Sequence, residues 1–303
     1  MQTILVTGTN GLLGQKILYQ LKALPNVRLI ATSKGANRTN DKSGYMYLDL
    51  DITNDKQLTE VFETYKPDTL INTAAFTNVD ACELNKEACW KLNVDAVASM
   101  IELSKKYNTH FIHLSTDFVF DGTAGPYSEE DKPNPLSHYG TSKYESEKLL
   151  MQSDLQWAII RTIIIYGVVD DNQRSNIVLW TKNSLEQQKD INVINDQYRS
   201  PTLAEDIADA CVQCALRKAT GIYHVSGKEQ MSIWESVIIV ADYFHLDKKY
   251  LHPITTASLK QPAARPLVTG FKIDKAIREL NYNPHTFLEG LKVVEAQLKE
   301  KSL

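Results

Sequence analysis

The sequence predicts an α/β protein built on a doubly wound parallel sheet, and three observations carry that prediction. A short apolar strand at 3–7 runs straight into the glycine turn Gly8-Thr9-Asn10-Gly11-Leu12-Leu13-Gly14 and then into a helical pattern at 12–24. Apolar runs of strand length then alternate with helical periodicity as far as residue 117, the βαβ rhythm of a parallel sheet. Small and polar residues, Thr73-Ala74-Ala75 and Ser115-Thr116-Asp117, follow directly on two of those runs. Open parallel sheets collect ligands there, beyond the carboxyl ends of their strands.

The first strand, turn and helix give the context that a dinucleotide-binding turn requires. Gly8 permits the tight turn, Gly11 lets backbone approach a pyrophosphate, and Gly14 allows the helix to pack on the strand. The helix N-terminus offers free N–H groups and the positive end of its dipole to phosphate. Gly8, Asn10, Gly11, Leu12 and Leu13 are therefore the cofactor contacts expected from this turn. The spacing is GxxGxxG.

A second strand at 27–32 runs into Ser33-Lys34, with Arg38 beyond it. No carboxylate stands there to repel a 2′-phosphate, and two cations are available to hold one, which favours NADPH while permitting NADH. The alternative is that Lys34 and Arg38 are loop surface. A third strand at 45–50 ends in Asp51-Ile52-Thr53, where Asp51 and Ile52 are placed to bracket an adenine. Asp51 or Thr53 is equally placed to cap the helix expected at 55–65. The strand at 69–72 ends in Ala74 and Ala75, small enough for a ring or ribose to pass close to the backbone. A helical pattern at 86–107 carries Asn93, and the strand at 111–114 leads to Ser115 and Thr116.

Tyr139-Gly140-Thr141-Ser142-Lys143 opens a further helix, rich in Glu, Lys and Leu over 143–151. Residues four apart share a helix face, so Tyr139 and Lys143 present a phenol and an ammonium to the same space. A nearby cation favours phenolate and draws the Tyr pKa down from about 10. Such a Tyr can protonate a carbonyl oxygen or deprotonate an alcohol. The bland alternative is a solvated helix face.

Beyond residue 167 the pattern is less regular. A polar loop is expected at 170–174, helices at 176–188, 204–216, 232–244, 273–280 and 287–301, and short strands at 191–194 and 221–225. With 303 residues, 43% hydrophobic and 23% charged, the chain can bury a sizeable core. A net charge of −4 gives no reason to expect a nucleic-acid or anionic-membrane partner. No apolar run approaches the roughly 18 residues of a membrane span. Cys82, Cys89, Cys211 and Cys214 do not form a disulfide framework in a chain this long, and the seven histidines show no metal-ligand spacing. The compartment expected is the cytoplasm, and no metal is expected.

Taken in series, Gly8-x-x-Gly11-x-x-Gly14, Asn72-Thr73-Ala74-Ala75, Ser115-Thr116-Asp117-Phe118-Val119-Phe120-Asp121-Gly122, Tyr139-x-x-x-Lys143, Asn195-Asp196-Gln197 with Ser200-Pro201-Thr202, and Arg265-Pro266 resemble an extended short-chain dehydrogenase/reductase. Within that superfamily the chain is most similar to the dTDP-4-dehydrorhamnose reductases. The resemblance implies a Rossmann domain over 1–167, with a return segment at about 191–226. A smaller α/β substrate-binding domain would be built from 168–190 and 227–303. It implies reduction, with NADPH or NADH, of the C4 keto group of a nucleotide-linked 6-deoxy sugar, and it permits a homodimer. Tyr139 would be the general acid, Lys143 would hold the nicotinamide ribose and lower the Tyr pKa, and Thr116 would hydrogen-bond the same oxygen. Asn93 would support the active-site helix, and Asp117, Phe118 and Arg265 would contact substrate.

The chain also departs from that branch. Phe118 stands where a Tyr is usual, Ile164 where a Trp is usual, Tyr198-Arg199 where a glycine is usual, and Val268 where an Asn is usual. These changes fall on the expected substrate side. They leave open a second class, a non-catalytic partner resembling the regulatory β subunit of methionine adenosyltransferase. Within enzymes they leave open a sugar-nucleotide epimerase or dehydratase.

Overall fold

The computed structural model describes residues 1–171 and 175–301. Of the polar loop expected at 170–174, residues 172–174 lie outside the described residues. In chain order the first half comprises β1 (Gln2–Thr7), α1 (Leu12–Lys22), β2 (Val27–Ser33), β3 (Met46–Asp49), α2 (Asp55–Tyr65), β4 (Thr69–Asn72), α3 (Val79–Leu84), α4 (Lys86–Trp90), a π-helical turn (Lys91–Asp95), α5 (Ala96–Tyr107), β5 (His110–Thr116), α6 (His138–Met151) and β6 (Trp157–Thr162). The second half comprises β7 (Ile165–Tyr166), α7 (Ile177–Glu186), β8 (Ile191–Ile194), β9 (Tyr198–Arg199), β10 (Thr202–Leu203), α8 (Ala204–Arg217), β11 (Gly221–His224), β12 (Met231–Ser232), α9 (Ile233–Tyr243), β13 (Leu251–Ile254), α10 (Thr256–Leu259), α11 (Asp274–Leu280) and α12 (Phe287–Lys301).

Seven strands form one parallel sheet in the order β11-β6-β5-β4-β1-β2-β3. Side chains alternate between its faces. Ile4 and Val6 join α1, α8 and α11 in one core with Leu18, Leu21, Cys211 and Leu280. Leu5 joins the other face with Phe62, Met100, Phe111, Leu150 and Ile159. Burial on both faces explains why the strands read as continuous apolar runs. The winding reverses between β1 and β4, so a crevice opens at their carboxyl ends.

Residues 191–226 do not return to this sheet as a unit. β8 pairs with β13, and Ile191 and Val193 pack with Val237, Ala241 and Leu251 in a separate core. The return begins with α8, which covers α1, and ends with β11 at the sheet edge. Ala276, Leu280 and Tyr282 also come back to the large core, although they belong to the C-terminal stretch. Asn54 caps α2 by accepting from Gln57 N, so neither Asp51 nor Thr53 is the cap. The expected helix at 86–107 is continuous in path but loosens into the π turn at Lys91–Asp95.

Helix α6 is tied to β6 by a fully buried ion pair. Arg161 Nε and Nη2 donate to the two carboxylate oxygens of Glu147 at 3.0 and 2.7 Å. Removing one partner strands the other charge in the interior, a loss of about 3–5 kcal/mol. Glu147→Ala is therefore expected to lower the unfolding free energy by that amount in chemical denaturation. Glu145→Ala, whose Lys148 pair at 2.6 Å is solvated, is expected to cost less than about 1 kcal/mol.

Candidate active site

A cleft of about 540 Å³ opens at the winding reversal. Gly8, Gly11 and Leu12 line one wall, Ser33, Lys34, Asp51 and Ile52 one end, and Thr116, Tyr139 and Lys143 the other end. Its first wall is made by the glycine turn. Gly8 has φ +74°, and a Cβ there would meet Thr73 Oγ1 at 2.7 Å and Ala74 N at 2.8 Å. Gly14 lets α1 sit on that turn, since a Cβ would meet Gly8 O at 2.4 Å. Gly11 is the N-cap of α1, has no side-chain cap and is followed by no acidic residue in the first turn. The helix end thus presents its N–H groups to the cleft, the arrangement that receives phosphate.

The far end is built from three elements. Ser137 caps α6 by accepting from Gly140 N, which fixes the turn carrying Tyr139 and Lys143. Asn93, in the π turn, accepts from Phe76 N at 2.8 Å and donates to Phe76 O and to Ser142 Oγ, the last at 3.0 Å. The helix bearing Tyr139 is thereby pinned to the loop after β4, the supporting role expected for Asn93. Thr116 ends β5, its hydroxyl donating to Asp117 and accepting from Phe118 N.

The electrostatics differ from the sequence expectation. Tyr139 is buried, and burial pushes its phenol well above the ordinary value. A hydrogen bond with Thr116 draws it back, and the Asp117 carboxylate raises it further. Lys143 is not what sets it, because the Lys143 amine lies 3.0 Å from His113 Nε2. Burial lowers Lys143 to about 8, opposed by Glu147 and Cys89. Tyr139 is therefore a protonated phenol at neutral pH, the state of a proton donor.

The remaining expected residues divide. Leu13, Ala74, Ala75, Ser115, Asp117 and Phe118 all line the cleft. Lys34 also lines it and pairs with Asp51 at 2.7 Å. Burial raises the Asp51 carboxyl, but Lys34 and the two bonds from Thr53 outweigh it and bring it down to about 2. Asn10 is not among the residues that line the cleft. Its side chain bonds Ala36 O, Tyr47 Oη and Arg38 N, so it orders the loop after β2. Arg38 pairs with Asp171 at 3.5 Å. Arg265 grips Asp80 through two bonds of 3.0 and 2.8 Å and binds Ala263 O, and it is not among the residues that line the cleft. The Asp117 carboxylate accepts from Thr269 and Thr116 with Arg199 at 3.5 Å, so its oxygens are engaged within the protein. His138, beside Tyr139 in the chain, faces Lys86 O and Trp90.

Sequence reasoning missed Thr162 and the environment of Ile164. Thr162 lies opposite Thr116 in the β5–β6 register, lines the cleft, and has a buried hydroxyl without a partner. Ser115 Oγ is also without one. Two orphaned hydroxyls on the cleft floor fit a ligand that supplies their partners. The strand-end rule that found Thr116 applies equally to Thr162. Ile164 stands in the cleft wall at φ +27°, a costly conformation for a β-branched residue.

The glycine turn gives a direct test. Gly8→Ala is expected to lose at least about 1–2 kcal/mol, from the left-handed backbone alone, and to melt at a lower temperature. Gly11, at φ −86°, accepts a side chain without that loss.

The family model described as RmlD substrate binding domain matches residues 1–300. Methionine adenosyltransferase 2 subunit beta of Bos taurus is 31% identical over 257 residues, covering 83% of this chain and 75% of that protein. The dTDP-4-dehydrorhamnose reductase of Aggregatibacter actinomycetemcomitans is 30% identical over 309 residues, covering 98% and 99%. The dTDP-4-dehydrorhamnose reductase of Bacillus anthracis, solved in complex with NADP, superposes with a TM-score of 0.84 at 25% identity, covering 98% of this chain and all of that one. The chain belongs to the RmlD substrate binding domain family, a branch of the extended short-chain dehydrogenase/reductases.

Proposed function

We propose that this protein is an NAD(P)H-dependent reductase of the C4 keto group of a nucleotide-linked 6-deoxy sugar. One observation carries the reading: Thr116, Tyr139 and Lys143 converge in the cleft that the glycine turn opens. The reductase relatives and the neighbour holding NADP support it. Gly8, Gly11, Leu12 and Leu13 would receive the pyrophosphate, Ser33, Lys34, Asp51 and Ile52 the adenosine end, and Ala74, Ser115 and Thr162 the middle. A bound nicotinamide supplies the hydride. Everything else is the work of the chain.

Lys143 orients the ribose with its ammonium. Tyr139 directs its hydroxyl at one carbonyl oxygen, where negative charge develops as reduction proceeds, and the Thr116 hydroxyl reaches the same oxygen by turning from Asp117. Tyr139 then gives up its proton to that oxygen. Burial keeps the phenol protonated until it is needed, and Phe118, edge-on to the Tyr139 ring at 5.7 Å, helps to exclude water.

A second reading has its own support. The methionine adenosyltransferase 2 subunit beta relative and the substrate-side changes at Phe118 and Ile164 favour a non-catalytic NADP-binding regulatory subunit. Steady-state NADPH oxidation with a dTDP-4-keto-6-deoxy-L-sugar, beside a panel of other 4-keto sugar nucleotides, separates the two. Binding of NADPH without turnover of anything in the panel makes the regulatory reading the better one.

Under the reductase reading, Tyr139→Phe is expected to lower kcat by about 10²–10⁴-fold with NADPH affinity retained. Equal turnover in wild type and variant would rule out Tyr139 as the acid. Wild-type activity is expected to fall as pH rises through about 8, where Lys143 loses its proton, because the neutral amine holds the ribose less well. Gly11→Val keeps an accessible backbone but crowds the phosphate, so calorimetric titration is expected to show weakened NADPH binding by a folded protein.

A further inference from the structure

His113 is absent from the machinery described above, yet it sits beneath it. It is fully buried in the middle of β5 among Phe111, Ile112 and Leu114. A polar ring in a sheet core is costly unless its nitrogens are used. Both are engaged. Nδ1 lies 3.2 Å from Asn72 Nδ2, and Nε2 lies 3.0 Å from both Ser146 Oγ and Lys143 Nζ. Asn72 in turn contacts Thr7 Oγ1 at 2.6 Å. A continuous buried row therefore runs from β1 through β4 and β5 to the amine in the cleft.

The row has a useful symmetry. A neutral imidazole offers a lone pair at one nitrogen and an N–H at the other, and a primary amide offers either a donor or an acceptor. With Lys143 charged, its ammonium donates to Nε2, and the Asn72 amide turns over, so that its oxygen accepts from Nδ1–H and its nitrogen donates to Thr7 Oγ1. With Lys143 neutral, Nε2–H donates to the amine while the Asn72 amide nitrogen donates to Nδ1. Neither state leaves the amine or the ring without a partner.

We propose that His113 is the positioning residue for Lys143, holding its amine in place in both charge states and setting the pH at which it gives up its proton. The proposal rests on the reading of Lys143 as the ribose-holding group. The other charged and titratable groups around that amine are few. Glu147, one turn on along α6, is gripped by Arg161 of β6, which also contacts His224 of β11. Cys89 comes from α4, and Tyr139 lies one turn back. Cys82 of α3 and Asp117 bear on Tyr139. Burial together with the Lys143 charge keeps His113 itself neutral, far below its ordinary pKa.

The test compares wild type, His113→Phe and His113→Gln by the pH dependence of kcat and of NADPH dissociation. The wild-type alkaline limb is expected near 8. In His113→Phe the ammonium loses its acceptor, so the limb is expected to move toward acid by roughly one unit or more. His113→Gln, whose amide oxygen accepts, is expected to restore it. A limb that stays in place while the rate drops by one factor at every pH means that His113 only packs, and overturns the proposal.

A second measurement needs no turnover. The ¹⁵N shifts of His113 in labelled wild type, from about pH 6 to about pH 10, are expected to report a tautomer change that follows the Lys143 titration and vanishes in Lys143→Met. One unchanging tautomer overturns the proposal. A tautomer change in a protein that reduces no sugar nucleotide refutes the reductase reading and leaves the role of His113 standing.

Discussion

The polar seam of α6 is the constraint on which the rest of the structure depends. Tyr139, Ser142, Lys143, Ser146 and Glu147 are all buried, with Leu150 the apolar residue that ends the stripe. Their spacing is that of an ordinary core-facing helix stripe, with hydroxyls and charges where aliphatics usually stand. Such a helix gains little from hydrophobic burial, and each buried polar group loses water that something must replace. The replacements are specific: Asn93 for Ser142, His113 for Lys143 and Ser146, and Arg161 for Glu147. These partners come from the π turn, β5 and β6, so the helix docks in one register only.

That arrangement explains local features which otherwise look like irregularities. An α-helix running straight through 86–107 would not bring the Asn93 amide to Phe76 and Ser142 together; one π turn re-aims it. The histidine in the middle of a fully buried strand serves the helix facing it. Arg161, next to last in β6, leaves the cleft to its neighbour Thr162 and turns its own guanidinium inward, over the Phe120 ring.

The fold was largely legible in the sequence because it rests on short-range signals: strand–glycine–helix at the start, then alternation of periods. The ends of strands were legible for the same reason, which is how Ser115 and Thr116 were found. What the sequence did not show depends on partners distant along the chain. Asn10 stands in a phosphate-binding turn, but the backbone of residues 36 and 38 claims its amide. Arg265 lies in a family motif, but Asp80 lies within reach after folding. β8 reads as a sheet strand until its partner β13, about 60 residues later, is known. The Tyr139 pKa was misread for a related reason: spacing along a helix shows that two side chains share a face, but not which of the buried groups nearby Lys143 will meet.

The substrate side follows the same logic. Arg199, one of the Tyr198-Arg199 pair that stands where the reductases usually carry glycine, is almost wholly buried. It donates to the carbonyls of Tyr198, Pro266 and Leu267, and its Nε lies beside Asp117. Five donors in a rigid fork suit it to tying two loops together. The backbone of the same loops is paired, Tyr198 N donating to Leu267 O and Thr269 N to Tyr198 O. Thr269 then bonds Asp117 at 2.6 Å. Burial raises the Asp117 carboxyl, and Arg199, Thr269 and Thr116 pull it back, which makes Asp117 the hinge between these loops and the Thr116 hydroxyl. Arg199 therefore stiffens the wall of the cleft at Asp117 and Phe118. It does so through the carboxylate next to a residue expected to touch the reacting oxygen. The departures from the family are thus coupled to the Thr116 end of the cleft and leave the glycine turn, at the opposite wall, untouched.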